Sequence, residues 1–368
     1  MRVDLIITEL FVGGAERCLT ELALGLQHHG DRVRVASIGS LPQGPQAVLL
    51  RRLRDAGIDV VTTECDSPLR AVQAFARLRH WMTTDRPDVV QTMLFHANVL
   101  GTWAARSAGV ATCVGGIRVA DTSRGRLWIE QTAISRMDAL VCVSDSVARF
   151  AERSFSAPLP PTLVIPNSID SGRIAAASAI DWTDLGWPAD AEVLLFIGRL
   201  DYQKGIDVLL DAMPELFARL PDLRCCFVGE GPLRPQIDQA VSRFGAARVC
   251  AVGWRSDSDS FLKASRLLVL PSRYEGMPNV VLEAMAAGKV VAVSLVEGVS
   301  ELLGDTTDHQ TCRPDDSVAL AALIESLWKA PRQRLADLAD QNRRRAEQNH
   351  DLEAMIDRYR QLYRSFTD

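Results

Sequence analysis

At 368 residues the chain is too long for one ordinary domain, and two domains are expected. Hydrophobic residues make up 47% and charged residues 24%, as in a soluble globular protein, and the net charge of -5 argues against nucleic acid as the main partner. The eight cysteines include no C-x-x-C pair, which leaves no zinc-ligand spacing and no small disulfide framework. Cys142, Cys225 and Cys226 lie in expected buried strands, as reduced, core-filling thiols of a cytosolic protein do.

The N-terminal run Met1–Thr8 is too short and too interrupted by charge for a signal peptide, and no run is long enough to span a bilayer. Val3–Thr8 reads as a first strand, followed by Gly13-Gly14-Ala15-Glu16 and a helix over Ala15–His28. Paired glycines there allow positive φ and close backbone approach to a ligand. This is not G-x-G-x-x-G, and no acidic ribose partner follows the second strand, so a nicotinamide cofactor is not expected. Strands over Val33–Ile38 and Val60–Val61 alternate with helices over Gln46–Ala56 and Leu69–Thr84. Arg51, Arg52, Arg54, Arg70, Arg77, Arg79 and His80, with Leu53, Phe75, Leu78 and Trp81, form a basic and apolar set that suits an anionic membrane surface. The plainer alternative is a solvated helix face over core residues.

A strand over Asp88–Thr92 leads to Phe95-His96-Ala97-Asn98, which places His96 at a strand's carboxyl end; a structural hydrogen-bonding role is the plainer alternative to a ligand contact. Further strands over Thr112–Gly116, Ala139–Val143 and Thr162–Ile165 alternate with helices over Asn98–Ala108, Leu127–Arg136 and Ser146–Arg153. Arg118, also at a strand end, suits a phosphate, an acidic acceptor or a local carboxylate. Pro158, Pro160, Pro161 and Pro166, then the small-residue run 175–179, mark a linker within 166–190.

The alternation then repeats, with strands over Val193–Gly198, Arg224–Gly229, Arg248–Val252, Leu267–Leu270 and Val290–Val293. Continuous Val/Ile/Leu runs separated by helices are the doubly wound α/β signature, here seen twice. In Gly198-Arg199-Leu200-Asp201-Tyr202-Gln203-Lys204-Gly205, a fork-shaped cation and a mobile one stand five residues apart, which suits a pyrophosphate. Lys204 is one of four lysines in an arginine-dominated chain, which makes a specific role more plausible; a pyridoxal Schiff base there has no supporting motif. Gly229-Glu230-Gly231-Pro232 ends the next strand and lets a nucleoside lie against the backbone, and Gly253-Trp254-Arg255 stands ready to flank a base. Asp257 and Asp259 frame a D-x-D at an expected helix start, where capping explains them better than metal binding.

The most informative segment is Tyr274-Glu275-Gly276-Met277-Pro278-Asn279-Val280-Val281-Leu282-Glu283. It reads strand, tight loop, helix, with one carboxylate in the loop and one inside the helix. The helix start attracts an anion, and the carboxylates suit two hydroxyl-bearing parts of one ligand. After it, 332–366 reads as a charged helical segment whose apolar positions Leu352, Met355, Ile356, Tyr359, Leu362, Tyr363 and Phe366 follow helix spacing.

Together these residues resemble the retaining, nucleotide-sugar-dependent glycosyltransferases of family 4, whose GT-B fold is two Rossmann-like doubly wound domains facing a cleft. The resemblance covers essentially the whole chain, and its most specific part is Glu275 to Glu283, an E-x7-E motif. It implies an acceptor-binding domain over 1–170, a nucleotide-sugar-binding domain over 171–345, and a C-terminal helix over 346–368 that packs back on the first. It further implies that Glu283 binds ribose hydroxyls, that Glu275 and Gly276 to Asn279 hold the donor sugar, and that Arg199 and Lys204 bind the diphosphate. Gly13, Gly14, Gly229, Glu230, Gly231 and Trp254 complete the donor contacts, and His96 lies over the sugar. Retention by front-face attack needs no protein nucleophile, no metal and no cofactor beyond a UDP- or GDP-sugar co-substrate. The expected partners are that donor and a saccharide or lipid-linked acceptor, with no nucleic acid, for a cytoplasmic monomer or dimer that can touch the membrane's inner face. Two departures stand out: Asn167-Ser168-Ile169-Asp170 where Asn-Gly is common, and Glu297-Gly298 where Gly-Gly is common. An epimerase or phosphorylase on the same architecture, or a non-catalytic sugar-nucleotide-binding protein, would share many of these residues.

Overall fold

The computed structural model describes residues 1–367 and divides into two compact units: Met1–Ser168 with the segment from Leu352 onward, and Ile169–Asp351. Each is a parallel sheet wrapped by helices. In the first unit, β1 (Arg2–Ile7), β2 (Arg32–Ser37), β3 (Asp59–Thr62), β4 (Val89–Met93), β5 (Thr112–Ile117), β6 (Ala139–Cys142) and β7 (Thr162–Val164) lie in the order 3-2-1-4-5-6-7. Leu5, Ile6 and Ile7 are fully buried, as expected of a strand covered on both faces. The second unit has six strands, β8 (Val193–Ile197), β9 (Arg224–Val228), β10 (Val249–Gly253), β11 (Leu267–Leu270), β12 (Val290–Ser294) and β13 (Thr311–Cys312), in the order 10-9-8-11-12-13. Only β13 escapes the sequence patterning, because two residues are too few to carry an apolar period.

Sheet order decides where ligands go. The winding reverses between β1 and β4 in the first unit, and between β8 and β11 in the second. Loops leaving the carboxyl ends of those neighbours splay to opposite faces and open a crevice. The four loops concerned carry Gly13-Gly14, His96, Arg199 to Lys204, and Glu275 to Asn279.

The C-terminal segment expected to be one helical stretch is two helices, Arg332–Asn349 and Leu352–Thr367. The break falls at His350 and Asp351, where the His350 carbonyl accepts the Ile169 N–H at 2.9 Å and Asp351 forms a parallel bridge with Ile169. The earlier helix belongs to the second unit, where Arg345 donates to the carbonyls of Leu302 and Glu301. The later one packs on the first unit's helix Gly14–His28: Met355, Ile356, Tyr359, Leu362 and Tyr363 are buried in its core, and Met355 Sδ meets Cys18 Sγ at 3.7 Å. Leu352 is half-buried, whereas Phe366 is 39% exposed and lies off the stripe.

In the basic and apolar set around residues 51–81 the apolar members turn inward while most of the basic ones stay exposed. Leu53 and Leu78 are buried, and Phe75 and Trp81 pack against the core. Arg52 pairs with Glu21, Arg77 with Glu64, and Arg79 bonds Ser107.

Tyr363 donates its hydroxyl to Gln91 Oε1 at 3.1 Å inside this core. Tyr363→Phe leaves a buried acceptor without that donor, and urea denaturation is expected to show a loss of about 1–2 kcal/mol. Phe366→Ala, at the exposed end of the same helix, should fall within about 0.5 kcal/mol of wild type.

Candidate active site

The loops after β8 and β11 are zipped together at the carboxyl edge of the six-stranded sheet. Asp201 caps the single turn Tyr202–Lys204 by accepting the Lys204 N–H at 3.2 Å. That turn aims Lys204 Nζ at Glu275 Oε1, 2.5 Å away, and the Ser272 hydroxyl donates to the same oxygen at 2.8 Å. Gln203 Nε2 donates to the Tyr274 carbonyl at 3.0 Å, and the Arg273 N–H donates to the Gln203 carbonyl at 2.8 Å. Arg273 in turn grips Asp207 at 2.9 and 2.7 Å and stacks over Tyr202. Glu275 is only 5% exposed, so its anionic carboxylate depends on these donors. Arg199 is exposed and ion-paired with Asp201 at 2.5 Å.

Glu275 precedes helix Asn279–Ala286, which opens after Pro278 and buries Glu283 at its fifth position. Met277 and Pro278 are buried beside it. The loop after β12 seals this segment from behind. Gly298 has φ 74°, and a Cβ there would lie 2.1 Å from the Gly276 carbonyl oxygen, so only glycine allows the two loops to stack. Glu297, immediately before it, is half-buried.

The neighbouring loops meet in the same backbone-to-backbone way. At Gly229, with φ 145°, an added Cβ would lie 1.9 Å from the Gly198 carbonyl oxygen. The Leu200 N–H donates to the Glu230 carbonyl at 2.9 Å, and Gly231 follows at the foot of helix Arg234–Phe244. The Glu230 carboxylate is exposed and pairs with Arg234 at 3.1 Å, and Trp254, after β10, is half-buried.

Asp257 and Asp259 do not cap the helix that starts beside them, as the sequence suggested. The Asp257 side chain accepts no cap hydrogen bond and grips Arg255 instead at 2.8 and 2.7 Å. Asp259 pairs with Arg173. Arg173 also reaches Glu283 Oε1 at 3.4 Å, a contact no sequence signal marks because 110 residues separate them.

In the first unit, Gly13 and Gly14 open helix Gly14–His28 without using the positive φ that glycine allows. Gly13 is extended at φ −146°, and the Glu16 carboxylate folds against it, 2.3 Å from where a Cβ would be. His96 sits in the first turn of helix Phe95–Ala108, just after Leu94, which holds φ 73°. A leucine there costs of order 1–3 kcal/mol and persists because its surroundings fix it. Asn98, buried, ties the strand ends beneath: its Nδ2 donates to the Gly116 carbonyl at 3.0 Å and to Glu130 Oε1 at 2.7 Å, and its Oδ1 accepts from Thr92 Oγ1 at 2.8 Å. Arg118 is buried, bonds Asn167 Oδ1 and feels the Glu16 carboxylate.

Partial dehydration, and then the Arg126 cation, hold the His96 imidazole below its usual pKa of 6.5, so the ring is neutral at pH 7. A depressed histidine contributes stability above pH 6.5 that is lost as pH falls from there through the folded value. An NMR titration is expected to place the His96 midpoint below 6.5, and Arg126→Gln to move it upward. In the sheet-edge weld, Gly229→Ala should displace the Gly198 loop and lower stability by about 1–3 kcal/mol in a thermal melt.

The comparisons agree with this architecture. Residues 12–173 match the model described as Glycosyltransferase Family 4, and residues 191–330 match that described as Glycosyl transferases group 1. The lipopolysaccharide core biosynthesis glycosyltransferase LpsE of Rhizobium meliloti is 26% identical over 295 residues, spanning 78% of this chain and 79% of its own. The UDP-Gal:alpha-D-GlcNAc-diphosphoundecaprenol alpha-1,3-galactosyltransferase of Escherichia coli is 25% identical over 317 residues, spanning 81% and 80%. Among solved structures, HepE of Anabaena in complex with UDP-glucose superposes with a TM-score of 0.84 at 22% identity over 99% of this chain and 100% of that one. The two sheets are thus those of the GT-B fold, and the chain belongs to the family 4-type glycosyltransferases.

Proposed function

We propose that this protein is a retaining hexosyltransferase that moves a sugar from a UDP- or GDP-sugar to a hydroxyl of a saccharide or lipid-linked acceptor, in lipopolysaccharide or polysaccharide assembly. The observation that carries this reading is the meeting of Lys204 and Glu275 at the second sheet's switch point, with Glu283 one turn into the helix that follows. One ligand that is anionic in its middle and hydroxyl-rich at both ends matches that order. Two relatives support the biosynthetic setting: LpsE is named for lipopolysaccharide core biosynthesis, and the Escherichia coli enzyme for a UDP-Gal donor and a diphosphoundecaprenol-linked acceptor. UDP and UDP-glucose complexes of HepE, which shares the fold, agree with a uridine donor.

In this mechanism the acceptor oxygen attacks the anomeric carbon on the face the leaving group departs from. The bond from that carbon to the diphosphate oxygen breaks, and this oxygen takes the acceptor's proton. Charge grows on the diphosphate, where Lys204 and Arg199 neutralise it. Asp257 and Asp259 each already hold an arginine, and the two cations of the β8 loop fill the role a divalent ion would play. Glu275, with the backbone of Gly276 to Asn279, holds sugar hydroxyls, and Glu283 holds the ribose. Gly229, Gly231 and Trp254 line the nucleoside side. His96, neutral at pH 7, bonds a substrate hydroxyl without moving a proton.

Calorimetry with UDP, GDP, ADP and their sugars is expected to find one saturable nucleotide, lost in Glu283→Ala. Turnover with an added acceptor should give a product that keeps the donor's anomeric configuration by NMR, unchanged by EDTA. Lys204→Met should lower kcat by about 100- to 1,000-fold. No nucleotide binding at all would sink the reading, and donor binding without sugar transfer to any acceptor would favour a binding protein or an epimerase.

A further inference from the structure

We infer that Arg173 is a positioning residue for the nucleotide's ribose, acting through Glu283. This rests on the reading of Glu283 as the ribose ligand. Glu283 is 6% exposed, and a carboxylate so buried must be neutralised by something fixed. Arg173 supplies the counter-charge: Nη2 lies 3.4 Å from Glu283 Oε1, and Nη1 bonds Asp259 Oδ2. One guanidinium therefore bridges two carboxylates.

The geometry separates two jobs within the pair. Asp259 anchors the fork; its side chain is 11% exposed, and its Oδ1 has no hydrogen-bond partner. The contact from Arg173 to Glu283 is longer, and falls on one carboxylate oxygen. Such a tether biases the rotamer and plane of the carboxylate it holds. A ribose diol offers two O–H donors side by side, and a carboxylate held in plane is the matching acceptor.

Arg173 is itself fixed from the backbone side. It lies in the short helix Ser171–Ala176, where Asp170 caps the first turn by accepting the Arg173 N–H at 2.9 Å. Ile169, just before, is pinned to the His350 carbonyl. The tether to Glu283 thus starts from a point with little freedom, which is what a positioning contact requires.

The test compares UDP, or whichever of UDP, GDP and ADP the protein binds, with its 2′,3′-dideoxy analogue by calorimetry. Wild type is expected to prefer the ribonucleotide by about 10- to 100-fold, the worth of hydrogen bonds to a charged acceptor. Arg173→Met should bind the dideoxy analogue as wild type does while its preference collapses to within about threefold, and Arg173→Lys should recover part of it. A merely structural role would weaken both ligands equally. Should Arg173→Met not fold, Asp259→Asn, which releases the anchor, is expected to reduce the preference at least threefold. Wild-type preference retained in Arg173→Met, or in Asp259→Asn where it is the variant that folds, while Glu283→Gln abolishes it, overturns the inference and leaves the donor site intact. A wild type that binds nucleotide with no preference for ribose, or binds none, overturns the reading of Glu283 and the inference with it.

Discussion

A largely buried ion pair, Lys204 with Glu275, is the contact on which the second unit's candidate site depends. Two loops from neighbouring strands meet there, and neither charge is free to leave. Removing the lysine strands a carboxylate that is almost wholly out of water, and removing the glutamate takes the common acceptor from both Lys204 and Ser272. The pair also explains why the surrounding backbone is built so tightly. A charge pair gains from low dielectric only if its geometry is held, and the loops around it are stacked carbonyl against glycine with no side chain between. Diphosphate binding would then trade one anionic partner of Lys204 for another rather than gather charge from solvent.

Arginine shapes the polar framework of both units. The skew toward arginine looks compositional in the sequence, yet the structure uses what distinguishes it from lysine. Arg173 spans two carboxylates, Arg273 grips Asp207 with two nitrogens, and Arg345 caps two carbonyls of a neighbouring helix. Arg106 likewise joins the Arg136 carbonyl to the Asp138 carboxylate. A planar, multi-donor group can tie elements that a point charge would only attract. Lys289 shows the contrast: its ammonium donates to the carbonyls of Lys263 and Ser265, and burial, then the Lys263 charge, push its pKa below the usual 10.5.

The strands and the loops leaving them were legible because buried parallel strands are written as unbroken apolar runs, and glycine and charge cluster where those runs stop. The E-x7-E segment was legible for the same reason, since its eight-residue separation spans one loop and one helix start. What stayed hidden has three physical origins. Arg173 and Asp259 meet Glu283 across long stretches of chain, and no local period records such a meeting. The Gly13 loop was legible as a close approach but not as to what approaches, which is a carboxylate of its own helix. Leu94 adopts a backbone conformation its side chain disfavours, so propensity starts the next helix three residues late, at Asn98 instead of Phe95.

The returning helix Leu352–Thr367 has a consequence for how the molecule is made. Its tyrosines and isoleucine fill a core whose other walls lie in the first half of the chain. Until the helix Leu352–Thr367 leaves the ribosome, the helix Gly14–His28 carries an uncovered apolar stripe, while the whole of the second unit has already been synthesised and is free to fold. The first unit to be started is the last to be finished, and its exposed stripe during that interval is the surface a chaperone would find.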